Sequence, residues 1–281
     1  MEGQLYLAYD GSINADWVAR YAIRMAAAVD HRTISLVHIL DHPAAKTRIE
    51  ERFAAIAAEC DAAGIDCHGL IHRLDRDVCS GLLQAIPAGE TSYCLCGARI
   101  ASRGRGFLAG TVSERLLRAG RFNVMAIRVV SPGLLGCPAT LLFPLAGHPR
   151  GFSAAMPFLQ MLTTRQSTVH LLRVMLVNPF LARYISAEVA RARLAAGREY
   201  LAQAVSHIRQ ETTAVPCHLD HHVVVSADWA GEILLQADRV HASMILLGAT
   251  ERSLPSRFLY GNRLEEILRR SPCDVGIYRR P

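Results

Sequence analysis

Glu114-Arg-Leu-Leu-Arg-Ala-Gly-Arg-Phe-Asn-Val-Met-Ala-Ile-Arg128 is answered, 151 residues later, by Glu265-Glu-Ile-Leu-Arg-Arg-Ser-Pro-Cys-Asp-Val-Gly-Ile-Tyr-Arg279. Each stretch reads as the end of a helix, a turn and a short apolar strand. Self-similarity at a fixed spacing is the mark of a repeated structural unit. At the same offset Gly97 meets Gly248, Gly110 meets Gly261 and Asp77 meets Asp228. A Cys-His pair recurs as Cys67-His68 and Cys217-His218. Earlier in the copies the offset falls to about 135, because the second carries a longer middle helix. One insertion in an otherwise common frame points to duplication.

Each copy alternates short apolar strands with amphipathic helices. In the first, Leu5–Tyr9 reads as a strand, and Asp10-Gly11-Ser12 as a turn and helix cap. The next helix repeats Trp17, Val18, Tyr21, Ala22, Met25, Ala26 and Val29 at helical spacing. Strands follow at Ile34–Leu40, Cys67–Leu74, Ser92–Cys96 and Val124–Val130, with helices at Ala44–Ala63, Val78–Ile86 and Val112–Arg118. The second copy places strands at Thr140–Leu145, Thr168–Met175, His218–Val225, Met244–Leu247 and Val275–Tyr278. Its long helix, Ser186–Arg209, aligns Ala190, Leu194, Gly197, Leu201, Val205 and Ile208. Continuous apolar strands between helices imply parallel sheets covered on both faces. The expected fold is α/β: two tandem, doubly wound, five-stranded parallel-sheet domains of Rossmann-like type. The domains are residues 1–131 and 139–281, with 132–138 as a linker too short to let them tumble.

A chain of 281 residues is comfortable for two such units. With 51% apolar and 20% charged residues it is globular rather than disordered. The greasiest segment, Leu134–Leu145, is broken by Gly136, Pro138 and Pro144, so no membrane helix is expected. The opening Met-Glu-Gly-Gln-Leu has neither the basic nor the apolar region of a secretory leader, and a cytoplasmic protein is expected. Its eight cysteines are scattered, with Cys94 and Cys96 in an apolar strand, and reduced thiols are expected. The charge of +6 is arginine spread along the chain, Lys46 being the only lysine. No basic run interleaves with aromatics, and nucleic acid is not expected as a partner.

In a doubly wound sheet, ligands bind beyond the carboxyl ends of the strands where the strand order reverses. That singles out the loops after Tyr9, Leu40 and Cys96. A first strand ending in Asp10-Gly11-Ser12, a second ending in His38-Ile39 and a fourth running into Gly97 resemble the universal stress protein family. That family's loop after strand four runs Gly, two residues, Gly, nine residues, Gly, then Ser or Thr. Here it reads Gly97-Ala-Arg-Ile100, nine residues, then Gly110-Thr111-Val112. The resemblance covers the whole chain, once per copy. It implies a tandem stress-response or regulatory protein that holds an adenine nucleotide, ATP or AMP, in the first domain. In that reading Asp10, with Gly11 and Ser12, meets the adenosine end, and Ile39 offers backbone to adenine. Gly97, Arg99, Gly110, Thr111 and Val112 hold ribose and phosphates. Glycines admit phosphate to backbone N–H groups, and a helix start favours negative charge.

The pattern is broken at Ile100, where a β-branched residue replaces the second glycine. Gly104 and Gly106 with Arg99, Arg103 and Arg105 offer a shifted cradle. In the second copy Ala146 stands for Asp10, Glu251 for the loop glycine and Asn262 for the hydroxyl residue, so a degenerate site is expected. Loss of nucleotide binding in both copies, leaving an interaction or scaffold protein of the same fold, is one alternative reading, and a metal-binding regulatory protein is another. Enzymatic activity beyond weak ATP hydrolysis is not expected, because no general base or carboxylate cluster for Mg²⁺ is found. Ser12, Asp10 and His38 lack the surroundings of a hydrolytic triad. On a strand His218, Asp220 and His222 share one face and Cys217 and His221 the other, which suits a metal or an exposed edge; with no tetrahedral spacing motif, no metal is assigned. Trp17 and Trp229 read as core. Two copies in one chain imitate the family's dimer, leaving a monomer or a homodimer.

Overall fold

The fold is that of a computed structural model describing residues 3–98, 111–134, 136, 138–146, 152–180, 184–211, 217–249 and 263–281. The first half runs β1 (Gln4–Ala8), α1 (Ile13–Ala26), β2 (Thr33–Leu40), α2 (Lys46–Ala62), β3 (Asp66–Arg73), α3 (Val78–Ala85), β4 (Gly89–Gly97), α4 (Val112–Ala119) and β5 (Phe122–Arg128). The second runs β6 (Thr140–Pro144), α5 (Met156–Leu162), β7 (Thr168–Leu176), α6 (Ala187–Glu211), β8 (His218–Ser226), α7 (Trp229–Arg239), β9 (Met244–Gly248), α8 (Arg263–Arg270) and β10 (Asp274–Arg279).

Strand order is β3-β2-β1-β4-β5 in the first half and β10-β9-β6-β7-β8 in the second, each parallel throughout. The two five-stranded sheets join edge to edge. β5 pairs antiparallel with β10, Ile127 opposite Gly276 and Met125 opposite Tyr278, giving one ten-stranded sheet. The duplication therefore closes on itself about a near two-fold junction.

Local chemistry sets the helix starts. The Ser12 hydroxyl caps α1 by accepting from Ala15 N, Asp77 caps α3 from Ser80 N, and Thr111 caps α4 from Glu114 N. Gly120, at φ +58°, ends α4 in the left-handed conformation that glycine adopts without strain. Helices α1, α2, α5 and α6 cover one face of the sheet, and α3, α4, α7 and α8 the other. The apolar layer on the first face runs unbroken across both halves. Tyr93 of β4 meets Phe158 of α5 edge-on at 5.8 Å, and Phe158 meets Tyr278 of β10 at 5.3 Å. Trp17 and Trp229 are half-buried against the two layers.

A buried polar device marks the same seam. Asn123 and Asp274 are counterparts in the repeat. Asn123 donates to the carbonyls of Glu90 and Ser92 within the first half, at 2.6 and 3.1 Å. Asp274 instead reaches across. It accepts from Val130 N at 2.7 Å, Ser131 N at 2.9 Å and the Tyr21 hydroxyl at 2.5 Å, and is 1% exposed. One carboxylate thus ties α1 and the segment after β5 to the last strand.

The sheet register corrects one detail of the repeat. β1 ends at Ala8 opposite Val37, and β6 ends at Pro144 opposite Leu172. Leu70 stands opposite Val37, and His222 opposite Leu172. Leu70 is therefore the partner of His222 in the repeat and His68 that of Asp220. The Cys67-His68 and Cys217-His218 pairs, aligned by letter, are two residues out of structural step. The hydrogen-bond ladder fixes register more strictly than a two-letter match.

Candidate functional site

The strand order turns between β1 and β4, and the loops singled out by the sequence lie on that edge. β1 pairs with β4, Ala8 opposite Cys96. Asp10-Gly11-Ser12 and Gly97 therefore emerge side by side. At Asp10 the carboxylate accepts from Ser12 N at 2.9 Å, folding the turn back on itself. Gly11 has φ +76°, and a Cβ there would lie 2.7 Å from Ile49 Cδ1, so the turn admits little but glycine. Gly97 is tight for another reason: a Cβ on it would lie 2.4 Å from Asn14 Nδ2, the second residue of α1. The start of α1 is thus pressed directly against the end of β4.

The ladder between β1 and β2 ends at Ala8 opposite Val37, so β2 overhangs β1 by His38, Ile39 and Leu40. Ile39 turns its side chain under α3, with its Cδ1 3.0 Å from where a Cβ on Gly81 would sit. His38 turns to the other face, where its Nδ1 lies 2.8 Å from the Tyr9 carbonyl. Its Nε2 is buried and has no partner among the described residues. Beside this ledge a cleft of about 820 Å³, lined by Leu40, Lys46, Glu50, Phe53, Ile71 and Arg73 among others, opens between α2 and the ends of β2 and β3. Its size suits a small ligand. Leu40 borders it, whereas Ile39, Asp10 and Gly97 are not among its described lining residues. Tyr9 meets Phe53 of that lining edge-on at 5.6 Å and donates its hydroxyl to Asp16, which also pairs with Arg52. Burial, and then the Asp16 carboxylate, push the Tyr9 phenol up.

Thr111 and Val112 begin α4 at the same edge. Arg115 of α4 donates to Asp77, the cap of α3, at 2.7 Å, which fixes the two helix starts together. This hydrogen bond holds the Asp77 carboxyl below the usual carboxylate range. The Thr111 hydroxyl is engaged by Glu114 N at 3.2 Å and by Ser113 Oγ at 3.0 Å. Of the expected site residues, then, Asp10, Gly11, Ser12, Ile39, Gly97, Thr111 and Val112 share one edge of the sheet. Arg99 and Gly110 lie outside the described residues, as do Ile100, Arg103, Gly104, Arg105 and Gly106.

The corresponding corner of the second half is built differently. Arg173 of β7 occupies the place of His38 and donates to the Leu145 carbonyl at 2.9 Å, as His38 meets that of Tyr9. Tyr200 of α6 lies under its guanidinium at 5.1 Å. A guanidinium stacked on an aromatic ring thus fills the place of an imidazole. Ala146 follows, with no carboxylate to fold a turn. Glu251, Gly261, Asn262 and His148 lie outside the described residues.

No hydrogen bond among the described residues joins Ser12 to His38; the Ser12 hydroxyl is spent on Ala15 N at 3.2 Å. The segment Cys217–His222 lies away from all these loops, Cys217 leading into the edge strand β8 and His218–His222 forming its first part. Asp220 and His222 stand together as expected, but their third companion is His170 of β7, not His218. Reading one strand at a time missed it; pairing Thr168 with His218 in register would have found it. The described cysteines are free thiols, with burial pushing Cys96 up to about 12. Among the described residues no helix is long and apolar enough to cross a membrane.

Residues 140–279 match the model of the universal stress protein family. Among solved structures, a universal stress protein from Archaeoglobus fulgidus DSM 4304 is 18% identical, with 98% of this chain and 96% of that one covered at a TM-score of 0.63. A functionally unknown protein from Pseudomonas aeruginosa PAO1 is 13% identical, with coverages of 99% and 92% and a TM-score of 0.55. The cytoplasmic domain of a prokaryotic cation chloride cotransporter is 10% identical, with coverages of 100% and 96% and a TM-score of 0.60. At such identities these three likenesses are of fold alone. No curated protein matches the sequence. With its second half matching the family model and its first half repeating the same strand order, the chain belongs to the universal stress protein family.

Proposed function

We propose that this is a cytoplasmic, tandem stress-response protein in which residues 1–131 form a regulatory domain for an adenine nucleotide, ATP or AMP. Residues 139–281 form its degenerate companion, and 132–138 the linker. The observation that carries the reading is the contact of Asn14 with Gly97 beside the Gly11 turn, which brings the two glycine-dependent loops together where the strand order reverses. A nucleotide there would lie along the ledge of Ile39, with its phosphates toward Gly97, Gly110 and Thr111 at the start of α4. Arg99 would supply a guanidinium fork, and Val112 a backbone N–H. No residue is assigned as catalytic, and turnover of ATP would be weak at most. The β5–β10 junction does within one chain what pairing of two single-domain chains would do. A monomer is therefore the simpler assembly, and neither nucleic acid nor membrane is a proposed partner.

Calorimetric titration of the full chain with ATP and with AMP tests this reading. One site per chain is expected, weakened at least tenfold by Asp10→Ala. No heat with either nucleotide would sink it. A second reading, an interaction protein without nucleotide, draws on the self-satisfaction of the site: Asp10 is engaged by Ser12 N and Thr111 by Glu114 N with no ligand needed. That reading expects silence in the same titration.

A further inference from the structure

The second half holds three metal-binding side chains on one face of adjacent strands, remote from the nucleotide loops. His170 of β7 stands opposite Asp220 of β8 in the ladder, and His222 follows two residues on. His170 Nδ1 lies 3.0 Å from His222 Nε2. Asp220 Oδ2 lies 3.5 Å from the former and 3.4 Å from the latter. A tetrahedral zinc ion with bonds of about 2.0–2.1 Å holds its ligand atoms about 3.3–3.4 Å apart. The three atoms therefore already outline one face of such a tetrahedron, slightly compressed along the histidine pair. For direct hydrogen bonds the two carboxylate distances are long.

The carboxylate is held for the purpose. Its Oδ1 accepts from His221 N at 2.7 Å, which leaves Oδ2 turned to the rings. The imidazoles stack at 5.2 Å and 28°, sharing one orientation. The scaffold does not demand this set. In the sheet register the first half places Ser35, His68 and Leu70 at the same three points, and folds with one potential ligand there.

We propose that His170, Asp220 and His222 bind one divalent cation of the zinc class through Nδ1, Oδ2 and Nε2, with water in the fourth position. Two imidazoles and one carboxylate, without thiolate, favour Zn²⁺, with Co²⁺ as its spectroscopic stand-in, over the all-oxygen sites of Ca²⁺ and Mg²⁺. The ion would fasten the edge strand β8 to β7.

The test uses the full chain stripped with chelator and then dialysed against Zn²⁺ or Co²⁺ alone. One ion per chain is expected, with the visible absorption of tetrahedral Co²⁺ and a Zn²⁺-dependent rise in melting temperature. His170→Ser and His222→Leu, the residues of the first half, and the isosteric Asp220→Asn should each weaken binding by at least about tenfold, since losing even a group that only orients a ligand costs that much. Each should abolish the Zn²⁺-dependent rise in melting temperature. The circular dichroism of the metal-free variants shows whether they remain folded. Asp220→Asn changes no volume and serves where a histidine variant does not fold. No stoichiometric ion in the parent chain would overturn the site. So would binding unchanged by Asp220→Asn, since the ion would then sit elsewhere.

Discussion

Replacing Asp274 by alanine should weaken the molecule more than any other single polar change described above. Its carboxylate accepts three donors, Val130 N, Ser131 N and the Tyr21 hydroxyl, while 1% exposed. Hydrogen bonds to a charged group contribute about 1.5–3 kcal/mol each, which for three would sum to several kcal/mol. Desolvation of the carboxylate offsets part of that, and the bonds are not additive. Each buried donor left without its acceptor costs about 1–3 kcal/mol, and three donors lose theirs together. We therefore expect a loss of about 4 kcal/mol, a large share of the roughly 5–15 kcal/mol that a folded domain possesses. Tyr21→Phe, which removes one donor and leaves the carboxylate two, should cost about 1–2 kcal/mol. The assay is urea unfolding followed by tryptophan fluorescence in Trp17→Phe and Trp229→Phe backgrounds, so that each half reports alone. In the parent chain the two transitions should coincide; in Asp274→Ala they should separate. A loss below about 1 kcal/mol with coincident transitions would refute the reasoning, because the seam would then be held by apolar packing alone.

Gly97→Ala should cost about 1–3 kcal/mol by crowding Asn14, and adding Asn14→Ala should restore most of it, measured as a double-mutant cycle by thermal unfolding. Cys67 should be the first of the described cysteines to react with a disulfide reagent. A hydrogen bond from Cys60 lowers its pKa against the opposing effect of burial, whereas burial raises Cys79, Cys94, Cys96, Cys217 and Cys273; mass spectrometry of the native protein after brief labelling checks the order. The Asp77 carboxyl is held down by Arg115 and then by Ser80. Its contribution is therefore present above the ordinary carboxylate range and lost as pH falls through the depressed value. In Arg115→Ala the carboxyl should titrate at a higher pH, read by carbon-detected NMR.

The alternation of strands and helices, the duplication and the cap at Ser12 were all legible in the sequence, because each rests on local periodicity or on a side chain meeting its own backbone. Asp10, Gly11 and Gly97 could likewise be placed on one edge, since parallel strands carry their following loops to the same side. What could not be read was anything set by pairing between distant strands. Asp274 looks like an ordinary counterpart of Asn123 until β10 is laid against β5, where it turns from an internal brace into a bridge. His170 is one apolar-strand histidine among twelve in the chain until register sets it opposite Asp220. The Cys-His match misled for the same reason, since two letters do not fix a ladder.

The position of β10 has a consequence for how the molecule is made. The strand that follows the other nine in the chain lies at the centre of the sheet, between β5 and β9. While the ribosome is still at work, β5 and β9 both offer open backbone, and the first unit must wait with an unsatisfied flank for the rest of the chain. An open flank of that kind invites pairing with neighbouring nascent chains. Losing only Asp274–Arg279 would make that waiting state permanent, so a chain without those six residues should aggregate more than the parent.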